Sequence, residues 1–342
     1  MVLEHLFPDS WLEKKFSASF FLGLGYTIIG IILARLLFGA NSGIVSVIFI
    51  SILLMPSLRK LFNREEKLEE KEKKFTIKHF YKDNKHLVLA YLGMFIGVYV
   101  TYFLIAFLSM KFGWNVTSMF REQLFLDPAI SGRAVYQFGI FWSILANNWW
   151  VLIACFLLSL ISGNGAIFFI VWNASAWAAI FAVRAVGASA VLGVSAVKVA
   201  ALMQVITLPH ILLEGGAYIL AGIAGAVISD DAVSKSSDLK KFIPILAGVV
   251  VLFIVLNMLF KAITSSLHIL VILRIVSVFG LVYLFNYAFP DKKHREVFTY
   301  NYWLFVVAIF VFILGALVET SVLSYSGILN VYYSAAQTFF LI

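Results

Sequence analysis

The chain is expected to fold as an all-α, polytopic transmembrane helix bundle of about nine spans plus one re-entrant or interfacial helix. Three observations predict this. Hydrophobic residues make up 62% of the 342 residues and charged residues only 13%, against roughly half and a quarter in a soluble globular chain. Mean hydropathy is +0.97. The charges cluster into a few stretches, separated by apolar runs of roughly 20 residues, the length that crosses a hydrocarbon core of about 30 Å at about 1.5 Å per residue.

The first run, Phe16–Gly39, is too long for a signal peptide and no small-residue cleavage site follows it, so it reads as a retained span. Asn41-Ser42-Gly43 is a turn, and the second span runs from Ile44 to about Leu61. The charged loop Asn63–His86 follows, where Glu and Lys four apart support a short solvated helix. The third span is Leu87–Met110. Lys111 to Tyr136 is mixed and suits a membrane surface; its Asn115-Val116-Thr117 sequon sits at a membrane boundary and is discounted. The fourth span, Gln137–Ile161, and the fifth, Ala166–Arg184, are joined by a turn at Ser162-Gly163-Asn164-Gly165.

Gly187–Ile206 is rich in Ala, Val and Gly with Lys198 in its middle. It reads as a separate span or as a re-entrant or interfacial helix. Thr207-Leu208-Pro209 carries a start signal, because proline suits the first helical position and threonine caps shortly before it. A spanning helix is therefore expected to begin at Pro209 and run to Ser229. After the polar loop Asp230–Lys241 come Phe242–Phe260, Thr264–Phe289, a loop at Pro290–Val297, and Tyr300–Val318. The tail Ser321–Ile342 reads as a final span or a surface helix. Three parts follow: an N-terminal hairpin with its charged loop at 1–86, a core membrane domain at 87–241, and C-terminal helices at 242–342.

Basic residues orient the chain. If the N-terminus is cytoplasmic and Gly187–Ile206 does not cross separately, the internal segments hold 18 of the 26 Lys and Arg, a strong positive-inside bias. A crossing there would turn the loops at 230–241 and 290–299 outward, so the charges favour a non-crossing segment. The N-terminus and loop 63–86 are expected to be cytoplasmic, in a multi-pass protein of the cell membrane. The net charge of +8 then reflects loops facing anionic lipid rather than nucleic acid. The lone cysteine, Cys155, cannot form an intrachain disulfide.

Ionisable residues inside a membrane are costly and need a partner or a purpose. His210, Glu214 and Tyr218 recur every fourth residue and form one stripe of a helix. Asn147, Asn148 and Asn173 are amides in apolar runs and are candidates to face that stripe, whereas Asn164 between Gly163 and Gly165 suits the turn. The stripe reads either as hydrogen-bonded glue between helices or as a proton or cation site. No metal is expected, since a metal site needs at least a third ligand and no second His-x3-Glu or His-x3-His pair occurs. Ala217, Ala221 and Gly225 form a small-residue stripe for close helix packing. Arg274 and Glu319 are expected to form a structural ion pair, the long arginine reaching along its span to the carboxylate. His268 lies nearer the surface. No phosphate-binding loop, dinucleotide fingerprint, zinc-protease motif or nucleophile elbow occurs, so no cofactor and no enzymatic activity are expected.

Four stretches carry a resemblance: Ile144-Leu145-Ala146-Asn147-Asn148-Trp149-Trp150-Val151-Leu152; Ser162-Gly163-Asn164-Gly165-Ala166-Ile167; Val171-Trp172-Asn173-Ala174-Ser175; and Leu208-Pro209-His210-Ile211-Leu212-Leu213-Glu214. Together they resemble the stage II sporulation protein M family. The opening Met1-Val2-Leu3-Glu4, with Trp11 and Lys14-Lys15 before Phe20-Phe21-Leu22-Gly23, looks like its archaeal members. The motif-bearing part covers about 138–230. The family often has glycine after the Pro-His motif, where this chain has Ile211. The bacterial namesake belongs to a membrane complex that helps engulf the forespore beside partners that degrade cell wall. The resemblance thus implies a membrane address and a non-enzymatic scaffold or assembly factor with membrane or envelope partners. The alternative is a small-solute, ion or proton-coupled transporter or channel using His210 and Glu214.

Overall fold

The computed structural model describes the backbone of residues 15–39, 42–69, 77–114, 119–125, 138–233, 236–288 and 292–325. Among these residues every regular element is helical: α1 Phe16–Phe38, α2 Ser42–Glu69, α3 Ile77–Lys111, the short α4 Arg121–Phe125, α5 Phe138–Ser162, α6 Ala166–Leu192, α7 Ala196–Val233, α8 Ser236–Ile263, α9 Leu267–Ala288 and α10 Lys292–Tyr325. Among the described residues, eight helices contain a stretch long and apolar enough to cross a membrane, and Ser42–Leu58 of α2 is a shorter apolar stretch. The fold is a polytopic membrane helix bundle. Residues 1–14, the sequon at 115–117, most of the mixed segment after it, and the tail beyond Tyr325 lie outside the described residues; Ser321–Tyr325 simply extends α10.

The helix α7 lies at the centre. It packs most extensively on α10, then on α5 and α6, while α1 packs chiefly on α3 and α2. In the 18-residue apolar window of its stretch Ala196–Ser229, 78% of the residues are buried inside the protein, against 22% in the corresponding window of α8 and 28% in those of α9 and α10. The bundle is thus a packed body around α7 with more exposed apolar helices at its edge.

Two expectations about this region are corrected. No separate re-entrant or interfacial helix forms at 187–206: α6 continues to Leu192, Gly193 turns the chain with φ 65°, and α7 begins at Ala196. Pro209 starts no helix, because it lies inside the 38-residue α7. Proline removes the N–H that Val205 would have accepted, an interruption that transmembrane helices tolerate when neighbours resatisfy the freed groups. Around it the helix is held from the side. The Thr207 hydroxyl donates to Met203 O at 2.8 Å instead of capping a new start, and Tyr99 of α3 donates to Gln204 Oε1 at 2.6 Å.

Close approach is made by glycines. A Cβ on Gly225 would lie 2.3 Å from Phe156 O of α5. The small stripe read from the sequence serves this contact, with Ala217 and Ala221 fully buried. A second set went unread. A Cβ on Gly97 of α3 would sit 2.3 Å from Phe20 O, one on Gly93 2.9 Å from Phe16 O, and one on Gly23 of α1 2.5 Å from Met94 O. Gly93-x3-Gly97 is the small-xxx-small spacing that lets transmembrane backbones touch.

Candidate functional site: a polar centre between α5, α7 and α10

The turn between α5 and α6 forms where the sequence places it. Gly163 takes φ 71°, its N–H donates to Ser159 O at 2.7 Å, and Ala166 N–H donates to Ser159 Oγ at 3.0 Å. A Cβ on Gly165 would meet Leu158 O at 2.4 Å. Asn164 belongs to this turn, with N–H to Ser162 O at 2.9 Å. Ser159 also lies under Gly225, so the tight turn fixes the height at which α5 meets α7.

Glu214 on α7 is 1% exposed. Asn148 on α5 donates its amide to both carboxylate oxygens, at 3.1 Å each. Asn147 in turn donates to Asn148 Oδ1 at 3.1 Å, which orients the amide. From the other side the Glu319 carboxyl of α10 comes into hydrogen-bonding contact with Glu214. Gly315, one turn before Glu319, makes room, since a Cβ there would lie 2.8 Å from Glu214 Cγ. One side chain therefore ties three helices, and a carboxyl–carboxyl hydrogen bond holds one proton between its partners.

His210 and Tyr218 flank this centre along the same helix. Both are buried, and His210 Nδ1 and Tyr218 Oη have no hydrogen-bond partner. The Tyr218 ring stacks on Trp177 of α6, centroids 6.3 Å apart. Asn173 is not part of the centre: its amide donates to Phe169 O of its own helix at 2.8 Å. Among the described residues no group of three or more His, Cys, Asp or Glu side chains could hold a metal.

The ion pair expected between Arg274 and Glu319 does not form. Glu319 turns to Glu214, while Arg274 on α9 donates from Nε to Asn257 Oδ1 of α8 at 3.0 Å and lies 5.0 Å from the Trp150 ring of α5. Depth along a span is legible in sequence, but the face a side chain occupies is not, and the two groups lie on faces turned to different neighbours. Asn257 and Trp150 were missed; a buried amide in an otherwise apolar run was the available signal for the first. His268 is a rim residue, with its ring beside Trp142 at 6.1 Å. Arg274→Leu leaves Asn257 Oδ1 without its donor and removes the cation–π contact. It is expected to cost about 1–3 kcal/mol, measured as a lower thermal midpoint in detergent, with Arg274→Lys recovering only part.

The sequence profile of the Stage II sporulation protein M family matches residues 131–264. Over those residues the chain is similar to that family. The matched region carries α5, α6, α7 and α8 complete, and with them Asn148 and Glu214; Glu319 lies outside it. No curated protein and no solved structure matches the chain.

Proposed function

We propose that this stage II sporulation protein M-like chain is a non-enzymatic membrane scaffold or assembly factor that holds other membrane or envelope proteins in a complex. The observation that supports it is the enclosure of Glu214. Both its oxygens are engaged by Asn148, Glu319 closes the opposite side, and the side chain is 1% exposed. A centre used in this way rigidifies the body around α7. A fixed body with long apolar edge helices suits docking in the bilayer plane. The test is affinity purification of the full chain from native membranes in mild detergent after brief cross-linking. Membrane or envelope proteins recovered in fixed stoichiometry are expected; recovery of the chain alone would overturn the reading.

A second reading, a proton-coupled transporter or channel, draws on His210 Nδ1 and Tyr218 Oη, which are buried without partners beside a proton-holding carboxyl pair. Such a device needs the carboxyl itself, so Glu214→Gln separates it from the scaffold.

The same proposal places the protein in the cell membrane with its N-terminus and loop 63–86 cytoplasmic, supported by the distribution of Lys and Arg. The single cysteine, Cys155, is buried, so labelling at an introduced cysteine has little background. Lys71→Cys is expected to resist an impermeant thiol reagent in intact cells and to react after permeabilisation. Efficient labelling from outside would invert the topology.

A further inference from the structure

We infer that the groove between α8 and α9 is a binding site for an anionic phospholipid, with an acyl chain along the groove and the phosphate between Lys241 and Arg295. The groove has a volume of about 390 Å³ and is walled by Ile245, Gly248, Val249 and Leu252 of α8 and by Leu281, Leu284 and Tyr287 among the residues of α9. Nothing lies within 4 Å of a Cβ built on Gly248, so the absence of a side chain there leaves the groove open in its middle.

One end of the groove is basic. Lys241 precedes Ile245 by four residues and Gly248 by seven, which puts it on the groove-lining stripe of α8. It is exposed. The chain turns back between α8 and α9, so the start of α8 lies beside the end of α9, where Tyr287 closes the groove. Arg295 of α10 stands over the Tyr287 ring with Cζ 5.6 Å from its centroid, and it too is exposed. Two cations therefore flank the mouth of an apolar furrow. That is the arrangement by which basic pockets between transmembrane helices take anionic headgroups. A zwitterionic headgroup would bring its own cation to the same place and gain less. Both residues fall in segments that the distribution of basic residues places on the cytoplasmic side, where anionic lipid is enriched.

The test uses the full-length protein in neutral detergent, with dioleoylphosphatidylglycerol or dioleoylphosphatidylcholine added and bound lipid counted by native mass spectrometry. Wild type is expected to retain one phosphatidylglycerol in preference to phosphatidylcholine. The double variant Lys241→Gln, Arg295→Gln is expected to lose about 30-fold in that preference, the combined effect of two basic residues at the surface. Gly248→Phe fills the groove and is expected to abolish retention of both lipids, with helicity by circular dichroism unchanged. Lys240→Gln lies off the stripe and is expected to keep the preference. Equal retention of the two lipids by wild type, or a preference that survives the double variant, would overturn the inference.

Discussion

Glu214→Leu is expected to destabilise the bundle by about 2–4 kcal/mol, whereas Glu214→Gln is expected to cost less than about 1 kcal/mol. The leucine removes both hydrogen bonds from Asn148 and the contact with Glu319. It also strands a buried amide donor and a carboxyl in an apolar interior, and orphaned groups cost more than the bonds they made. Glutamine has the same length. Its oxygen accepts from Asn148, and its amide donates to Glu319 where the shared proton was. Thermal midpoint and monodisperse yield in one mild detergent read both variants. A leucine variant as stable as wild type would remove Glu214 from the role assigned to it. A glutamine variant as damaged as the leucine one would show that the carboxyl itself is needed, and would favour the transport reading.

Gly97→Val is expected to cost about 3 kcal/mol or more and to loosen α1 from α3. A Cβ at Gly97 would lie 2.3 Å from Phe20 O and 2.8 Å from Leu24 N. These are backbone atoms of an intact helix, so no rotamer change relieves the clash and the helices must separate. Separation also undoes the reciprocal contact of Gly23 with Met94. Gly216 is the control: a Cβ there meets nothing within 4 Å. Gly216→Ala is expected to be neutral or to stabilise by about 0.5–1 kcal/mol through its better helix propensity. A Gly97→Val protein that melts with wild type would contradict the close packing of α1 on α3.

Span positions were legible because hydropathy and length report membrane crossing directly, and α1, α5 and α6 begin within one residue of the sequence reading, whereas α3 begins at Ile77, ten residues before the expected Leu87. The start at Pro209 was misread because capping signals describe a local preference, while tertiary contacts decide whether a helix continues. The long buried α7 is fixed by α10, α5 and α6, and one interrupted hydrogen bond is small against that packing. Glu214 was singled out because a carboxylate in an apolar run is costly wherever it points. Its nearest charged neighbour was not legible, since Glu319 lies over a hundred residues away and the choice between α7 and α9 as its partner depends on the rotation of α10. Gly315 shows the same limit: its role appears only once the neighbouring helix is in place.

The claim that Glu214 joins helices rather than passing protons is tested most directly in proteoliposomes holding a trapped pH-sensitive dye. After an acid pulse outside, vesicles with the wild-type chain are expected to acidify no faster than empty vesicles, and Glu214→Gln vesicles are expected to behave identically. A proton flux through the wild-type protein that Glu214→Gln abolishes would contradict the account and assign the buried carboxyls to transport.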